Sequence, residues 1–131
     1  MAISNIPLFS MLRTRMHWHQ ERQRLLAENV ANADTPSFQP RDLAPPKFEP
    51  GRPAATVGLA RTSAAHIAAL GGGTTFQTAR SDTFEARPSG NAVSLEDEML
   101  KVAANQMDYQ AATTLYTRGL GLLRTAIGRR G

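Results

Sequence analysis

The sequence predicts a mainly α fold, an antiparallel pair of long N- and C-terminal helices with coiled-coil-like packing, joined by a Pro/Gly-rich middle with room for a small β-hairpin. Three observations predict it. Seam residues recur at alternating steps of four and three from Leu95 to Ile127, a heptad pattern. A second and more polar heptad runs from Leu12 to Ala33. Between them, five prolines fall from Pro40 to Pro53 and Gly71-Gly72-Gly73 follows, which breaks any continuous element. One domain results, in three parts: an N-terminal core helix in 1–33, an extended region in 34–93 and a C-terminal core helix in 94–131.

The C-terminal seam is Leu95, Met99, Val102, Gln106, Tyr109, Thr113, Tyr116, Leu120, Leu123 and Ile127, polar only at Gln106 and Thr113. At ~1.5 Å rise per residue this helix is roughly 50 Å long, too long to hide its stripe inside a 131-residue monomer. Partners are therefore expected. Ser94 stands where an N-cap belongs, Asp97 three residues on imitates a capping box, and Glu96 and Glu98 add negative charge at the positive end of the dipole. Arg118, Arg124, Arg129 and Arg130 place positive charge toward the last carbonyls, and Gly128 is a natural stop. Gly119 and Gly121 each cost the helix ~1 kcal/mol against alanine, which points first to a neighbour approaching the backbone closely and otherwise to a tolerated weak point.

The first helix is expected over residues 7–32. Pro7 suits a first turn, and the seam runs through Leu12, Met16, His19, Gln23, Leu26, Val30 and Ala33. His19 and Gln23 read as devices that fix alignment at some cost in stability, or as the mouth of a wetter interface. His17 and His19 are two residues apart and point in different directions on a helix, and no cysteine or acidic cluster completes a metal site. No metal or cofactor is expected. His17 with Glu21 reads as a surface pair, and Trp18, off the seam, as a second contact face ahead of a rim residue. Pro36 forbids continuation of the helix, while Asn32 and Asp34 close a turn on their own backbone.

In the middle, Arg61 to Leu70 has the composition of a short helical turn. Thr74 to Arg80 and Asp82 to Arg87 read as two strands of a hairpin turning near Ser81, with Phe76 and Phe84 on one face. Pro88-Ser89-Gly90-Asn91 is a turn leading back to the long helix.

Composition removes several classes of function. With no cysteine there is no disulfide, zinc-thiolate site or thiol nucleophile. Neither a cleavable signal nor a stretch of ~18 apolar residues is present. No Gly-rich phosphate loop or nucleophile motif occurs, so an enzyme is not expected. The net charge of +4 is spread along the sequence, and only the tail Arg129 and Arg130 invites an anion.

The run Leu26-Ala27-Glu28-Asn29-Val30-Ala31-Asn32-Ala33-Asp34-Thr35-Pro36-Ser37-Phe38 resembles the N-terminal signature of the bacterial flagellar rod and hook axial proteins, and Arg41-Asp42-Leu43 narrows the resemblance to the proximal rod. Asn105-Gln106-Met107-Asp108-Tyr109-Gln110 and Leu123-Arg124-Thr125-Ala126-Ile127-Gly128 resemble that family's C-terminal helix. The family has Gly and Tyr after the proline where this chain has Ser37 and Phe38. The resemblance implies a structural rod subunit, passed through the flagellar type III channel without signal cleavage and packed by its terminal helices. Implied partners are copies of itself, other rod proteins, the adapter between rod and membrane-embedded ring, and export-gate proteins at the channel mouth. Leu12, Met16, Leu26 and Val30 would then pack on Leu95, Met99, Val102, Tyr109, Tyr116, Leu120, Leu123 and Ile127, within and between subunits. Asn29, Asn32, Asp34, Thr35 and Pro36 would end the first helix and bond neighbouring backbones. From the residues alone, a non-polymerising secretion adaptor or chaperone and a small basic nucleic-acid-binding protein remain as alternatives. Co-sedimentation with rod homologues separates the first, and steep salt dependence of binding marks the second.

Overall fold

Pro7 occupies the first turn of α1 (Pro7–Ala31), where its missing N–H costs nothing. The computed structural model describes residues 6–48, 76–81 and 86–128. In these, α1 is followed by β1 (Arg41–Leu43), β2 (Thr78–Arg80) and α2 (Leu95–Gly128). Both helices match the expected spans to within a residue, because heptad spacing and the proline and glycine stops all speak for the same boundaries.

The helices run antiparallel. Phe9 stacks edge-on against Tyr116 with centroids 5.5 Å apart, while further along α1 Gln20 meets Tyr109 and Asn29 meets Glu98. At 34 residues α2 overhangs α1, which has 25. The start of α2 is held by Ser94, whose Oγ accepts from Asp97 N–H at 3.4 Å and whose carbonyl accepts from Glu98 N–H at 3.0 Å.

A second face of α1 carries the β ribbon. Trp18, Leu25 and Leu43 form a buried cluster with Phe76 against it, and Trp18 Nε1 donates to Ala44 O at 2.7 Å. Trp18 is thus a contact residue of this second face. His17 lies beside the Phe76 ring at 5.7 Å, and Glu21 pairs with Arg24 at 3.2 Å.

The expected hairpin is corrected in its pairing. Thr78–Arg80 is a strand, but its partner is Arg41–Leu43, antiparallel, with Arg41 opposite Arg80 and Leu43 opposite Thr78. Local alternation located the strand, whereas the pairing is set by Leu43 and Phe76 joining the Trp18 cluster, a long-range effect. Most of the second expected strand, the helical turn at 61–70 and the glycine triplet lie outside the described residues. Pro88 to Gly90 forms the expected turn.

Candidate assembly site

Helix α2 turns toward α1 the column Glu98, Asn105, Ala112 and Gly119, one residue per two turns. Glu98 and Asn105 are each 2% exposed and Ala112 is 4%. This column was not on the expected seam, whose neighbouring column held the larger apolar residues. Small size and satisfied polarity decide the outcome. A Cβ on Gly119 would sit 3.0 Å from the Phe9 ring, so glycine is what admits that ring, while Gly121 faces open space. The close approach expected at both glycines therefore exists at one of them.

Three polar rungs fix the register. Near the middle, Asn105 Nδ2 donates to His19 O at 2.9 Å and to Gln23 Oε1 at 3.0 Å, and its Oδ1 lies 2.7 Å from His19 Nδ1. Because both amide hydrogens are committed, Oδ1 accepts and His19 carries its proton on Nδ1. His19 Nε2 is buried without a hydrogen-bond partner among the described residues. At the next rung, Glu98 accepts from Asn29 Nδ2 at 2.9 Å and from Lys101 Nζ at 3.0 Å, and Lys101 also reaches Ser81 Oγ at 2.7 Å. Asn29 meanwhile bonds the Arg41 backbone twice, accepting from its N–H and donating to its carbonyl. One buried asparagine thus ties α1, α2 and β1 together.

The third rung closes the helix stop. Asn91, 1% exposed, donates from Nδ2 to the carbonyls of Asn32 at 2.9 Å and Thr35 at 2.7 Å, and its Oδ1 accepts from Val93 N–H. Asn32 also bonds Glu28 O and Thr35 Oγ1. Asp34 and Pro36 are exposed, Asp34 within 3.8 Å of Arg87. Ser37 adopts φ 59°, the left-handed angle that glycine would take without strain, and its N–H reaches Ser89 O at 3.1 Å. A fourth tie lies on the ribbon: Arg22 grips Asp42 through two bonds of 2.9 Å while its guanidinium sits 5.4 Å from the Trp18 ring centre. The Asp42 hydrogen bond holds the Arg22 pKa above its ordinary value, against desolvation. A raised pKa means that the contribution is complete at neutral pH and would be lost only as pH climbs beyond the usual arginine range.

Of the expected packing residues, Leu26 is wholly buried and Leu12, Met16, Val30, Val102, Tyr109, Tyr116, Leu120 and Leu123 are half-buried. Leu95, Met99 and Ile127 are 45%, 56% and 69% exposed and lie outside the seam within one chain. Sequence reading missed Glu98, Asn105 and Asn91 as structural residues. Glu98 and Asn105 share the seven-residue spacing of Ala112 and Gly119, and that polar heptad was the available signal.

Outside the seam α2 keeps a further apolar stripe. Leu100, Met107, Leu115 and Leu122, spaced 7, 8 and 7 residues, fall within a sector of roughly 80°. All four are at least 60% exposed. No helix among the described residues is long and apolar enough to cross a membrane, so lipid spanning does not account for the stripe. Among those residues no group of His, Asp and Glu is arranged to hold a metal ion.

No protein-family model matches the chain. Curated relatives do match it along most of its length. A flagellar basal body rod protein FlgB of Agrobacterium fabrum is 31% identical over 120 residues, 87% of this chain and 87% of the relative. The FlgB of Yersinia enterocolitica is 37% identical over 106 residues, 72% of this chain and 74% of the relative. That of Aeromonas hydrophila is 28% identical over 130 residues, 98% of each.

Proposed function

From its membership of the FlgB family of flagellar basal body rod proteins, to which this chain belongs as a structural subunit, we propose that it builds the proximal rod by packing its terminal helices against those of neighbouring subunits, and so transmits torque. The observation that carries the proposal is the Leu100, Met107, Leu115 and Leu122 stripe, left open on a helix whose other side is already packed. Covering four such side chains at ~1.5–3 kcal/mol each gives several kcal/mol of association energy. A contact that does not close on itself propagates into a helical assembly.

Its partners on this reading are copies of itself, the rod proteins FlgC, FlgF and FlgG, the rod-to-ring adapter FliE and export-gate proteins, with the chain reaching the periplasmic rod through the type III channel. Leu95, Met99 and Ile127, exposed in the single chain, serve between subunits. Asn29, Asn32 and Thr35, whose described bonds are internal, hold the fold in which the stripe is presented. The FlgB relatives favour this reading over a secretion adaptor or a nucleic-acid binder.

The test is to delete the coding region, image basal bodies, and complement with the natural chain or with Leu100→Ser, Met107→Ser, Leu115→Ser and Leu122→Ser combined. The natural chain restores rods, and the stripe variant, though helical, does not. Rods built normally without the chain would overturn the proposal.

A further inference from the structure

All eleven acidic residues of the chain lie between Glu21 and Asp108. The segments 1–20 and 109–131 therefore hold six arginines and no acidic side chain. Read along the sequence, these segments are far apart and neither is a basic patch. The antiparallel pairing joins their described parts, residues 6–20 and 109–128. With Phe9 on Tyr116 and Gln20 on Tyr109, the first half of α1 and the second half of α2 form one end of the molecule. Arg118 and Arg124 are exposed there beside Leu122 and Ile127, themselves 73% and 69% exposed.

The helix dipole does not account for these arginines. Its effect fades within the last turn, and the last turn of α2 contains no basic residue. At the other end of the same helix the complementary set is exposed: Glu96 and Asp97 beside Leu95 and Met99, which are 45% and 56% exposed. From Asp97 to Arg124 is 27 residues, or roughly 40 Å along the axis, several times the ~8 Å over which charges act at physiological salt. The two ends cannot satisfy one another within one chain. Between two chains they match in both charge and apolar character.

We propose that the acid-free end of α2, with Arg118, Leu122, Arg124 and Ile127, docks head to tail on the Leu95, Glu96, Asp97 and Met99 turn of a second copy. The inference rests on the reading of this chain as a rod subunit and gives that assembly a direction. A head-to-tail contact uses two different surfaces, so each added copy leaves one of each free. The charges select orientation and speed encounter, while the apolar side chains supply the burial.

The experiment uses the full chain with Arg118→Glu and Arg124→Glu together, and separately with Glu96→Lys and Asp97→Lys together. Sedimentation velocity follows each variant and their equimolar mixture, with circular dichroism confirming the helices. Each variant alone should associate at least about tenfold more weakly than the natural chain, equivalent to ~1.4 kcal/mol. The mixture should recover association, because each reversed end then meets its opposite. Association unchanged in both variants overturns the contact and leaves the rod reading intact. The same holds for a natural chain that stays monomeric yet joins other rod chains. If the arginine variant self-associates normally but no longer binds phosphatidylglycerol vesicles that the natural chain binds, this end faces a membrane and the inference is overturned. A natural chain that joins neither itself nor any rod chain overturns the rod reading as well.

Discussion

Gly119 and Gly121 have the same local sequence cost and opposite structural meaning. Alanine at either position raises helix propensity by ~1 kcal/mol. At 121 nothing lies within 4 Å of the added methyl, so the gain is kept. At 119 the methyl meets the buried Phe9 ring at 3.0 Å, tighter than ordinary van der Waals contact, and Phe9 must give by a few tenths of an ångström where it packs on Tyr116. Gly121→Ala should therefore be more stable than Gly119→Ala by at least ~1 kcal/mol, measured by chemical denaturation at fixed protein concentration; equal stabilities would mean that Phe9 does not seat on Gly119. Ser37 is the second informative residue. A non-glycine residue in the left-handed region costs roughly 1–2 kcal/mol, part of which glycine gives back through the freedom of its unfolded chain. Ser37→Gly should stabilise by up to ~1 kcal/mol and Ser37→Val should destabilise, with thermal melting reporting both. A neutral valine would show that φ 59° is not required at the helix stop.

At the scale of elements, the polar rungs do more than fill the seam, because each joins segments that the sequence separates. Glu98 lies at the centre of the tightest of them, bonded to Asn29 and Lys101, while Asn29 holds the Arg41 backbone. Glu98→Ala takes one of two acceptors from the half-buried Lys101 ammonium and from the buried Asn29 amide, a loss on the order of 2 kcal/mol, whereas Glu98→Gln keeps one acceptor and should cost less. The distinguishing measurement is amide exchange at Arg41, whose N–H bonds Asn29: it should speed up in the alanine variant. Unchanged exchange there would separate the ribbon from the rung.

The same rungs explain what was legible in the sequence. Helix ends were legible because Pro7, Pro36, Ser94 and Gly128 act locally, through backbone angles and caps. The seam column Val102, Tyr109, Tyr116 and Leu123 was legible from spacing. Within one chain Met99 and Ile127 stay open, since close approach of the helices favours Ala112 and Gly119 at the contact. A polar residue enters a seam only where a partner waits on the other helix, and no local pattern reveals that partner. For the same reason the strand at Thr78–Arg80 was legible and its mate was not. The helix-stop signature marked Asn32 and Thr35, but the Asn91 amide that satisfies their carbonyls comes from 56 or more residues away.

For the whole molecule, the decisive balance is between what one chain buries and what it leaves open. Its internal seam is polar at three rungs and packed by small residues, while much of its large apolar surface, from Leu95 through Met107 to Leu122, faces outward on α2. Polar rungs specify alignment well and contribute little net stability, so an isolated hairpin of this composition is correctly registered but weakly held. Covering the outward stripe in an assembly adds burial energy that the single chain lacks, and anything that binds the folded form stabilises it by mass action. The apparent melting temperature should therefore rise with protein concentration, and rise again when other rod chains are added, each tenfold increase in free partner concentration above its dissociation constant contributing ~1.4 kcal/mol. In the stripe variant with four serines that dependence should disappear, with the helical signal at high dilution unchanged. A dilute chain that melts in one cooperative step above ~60 °C, at a temperature indifferent to concentration and to partners, would show that the single hairpin is already self-sufficient and that assembly does not consolidate its fold.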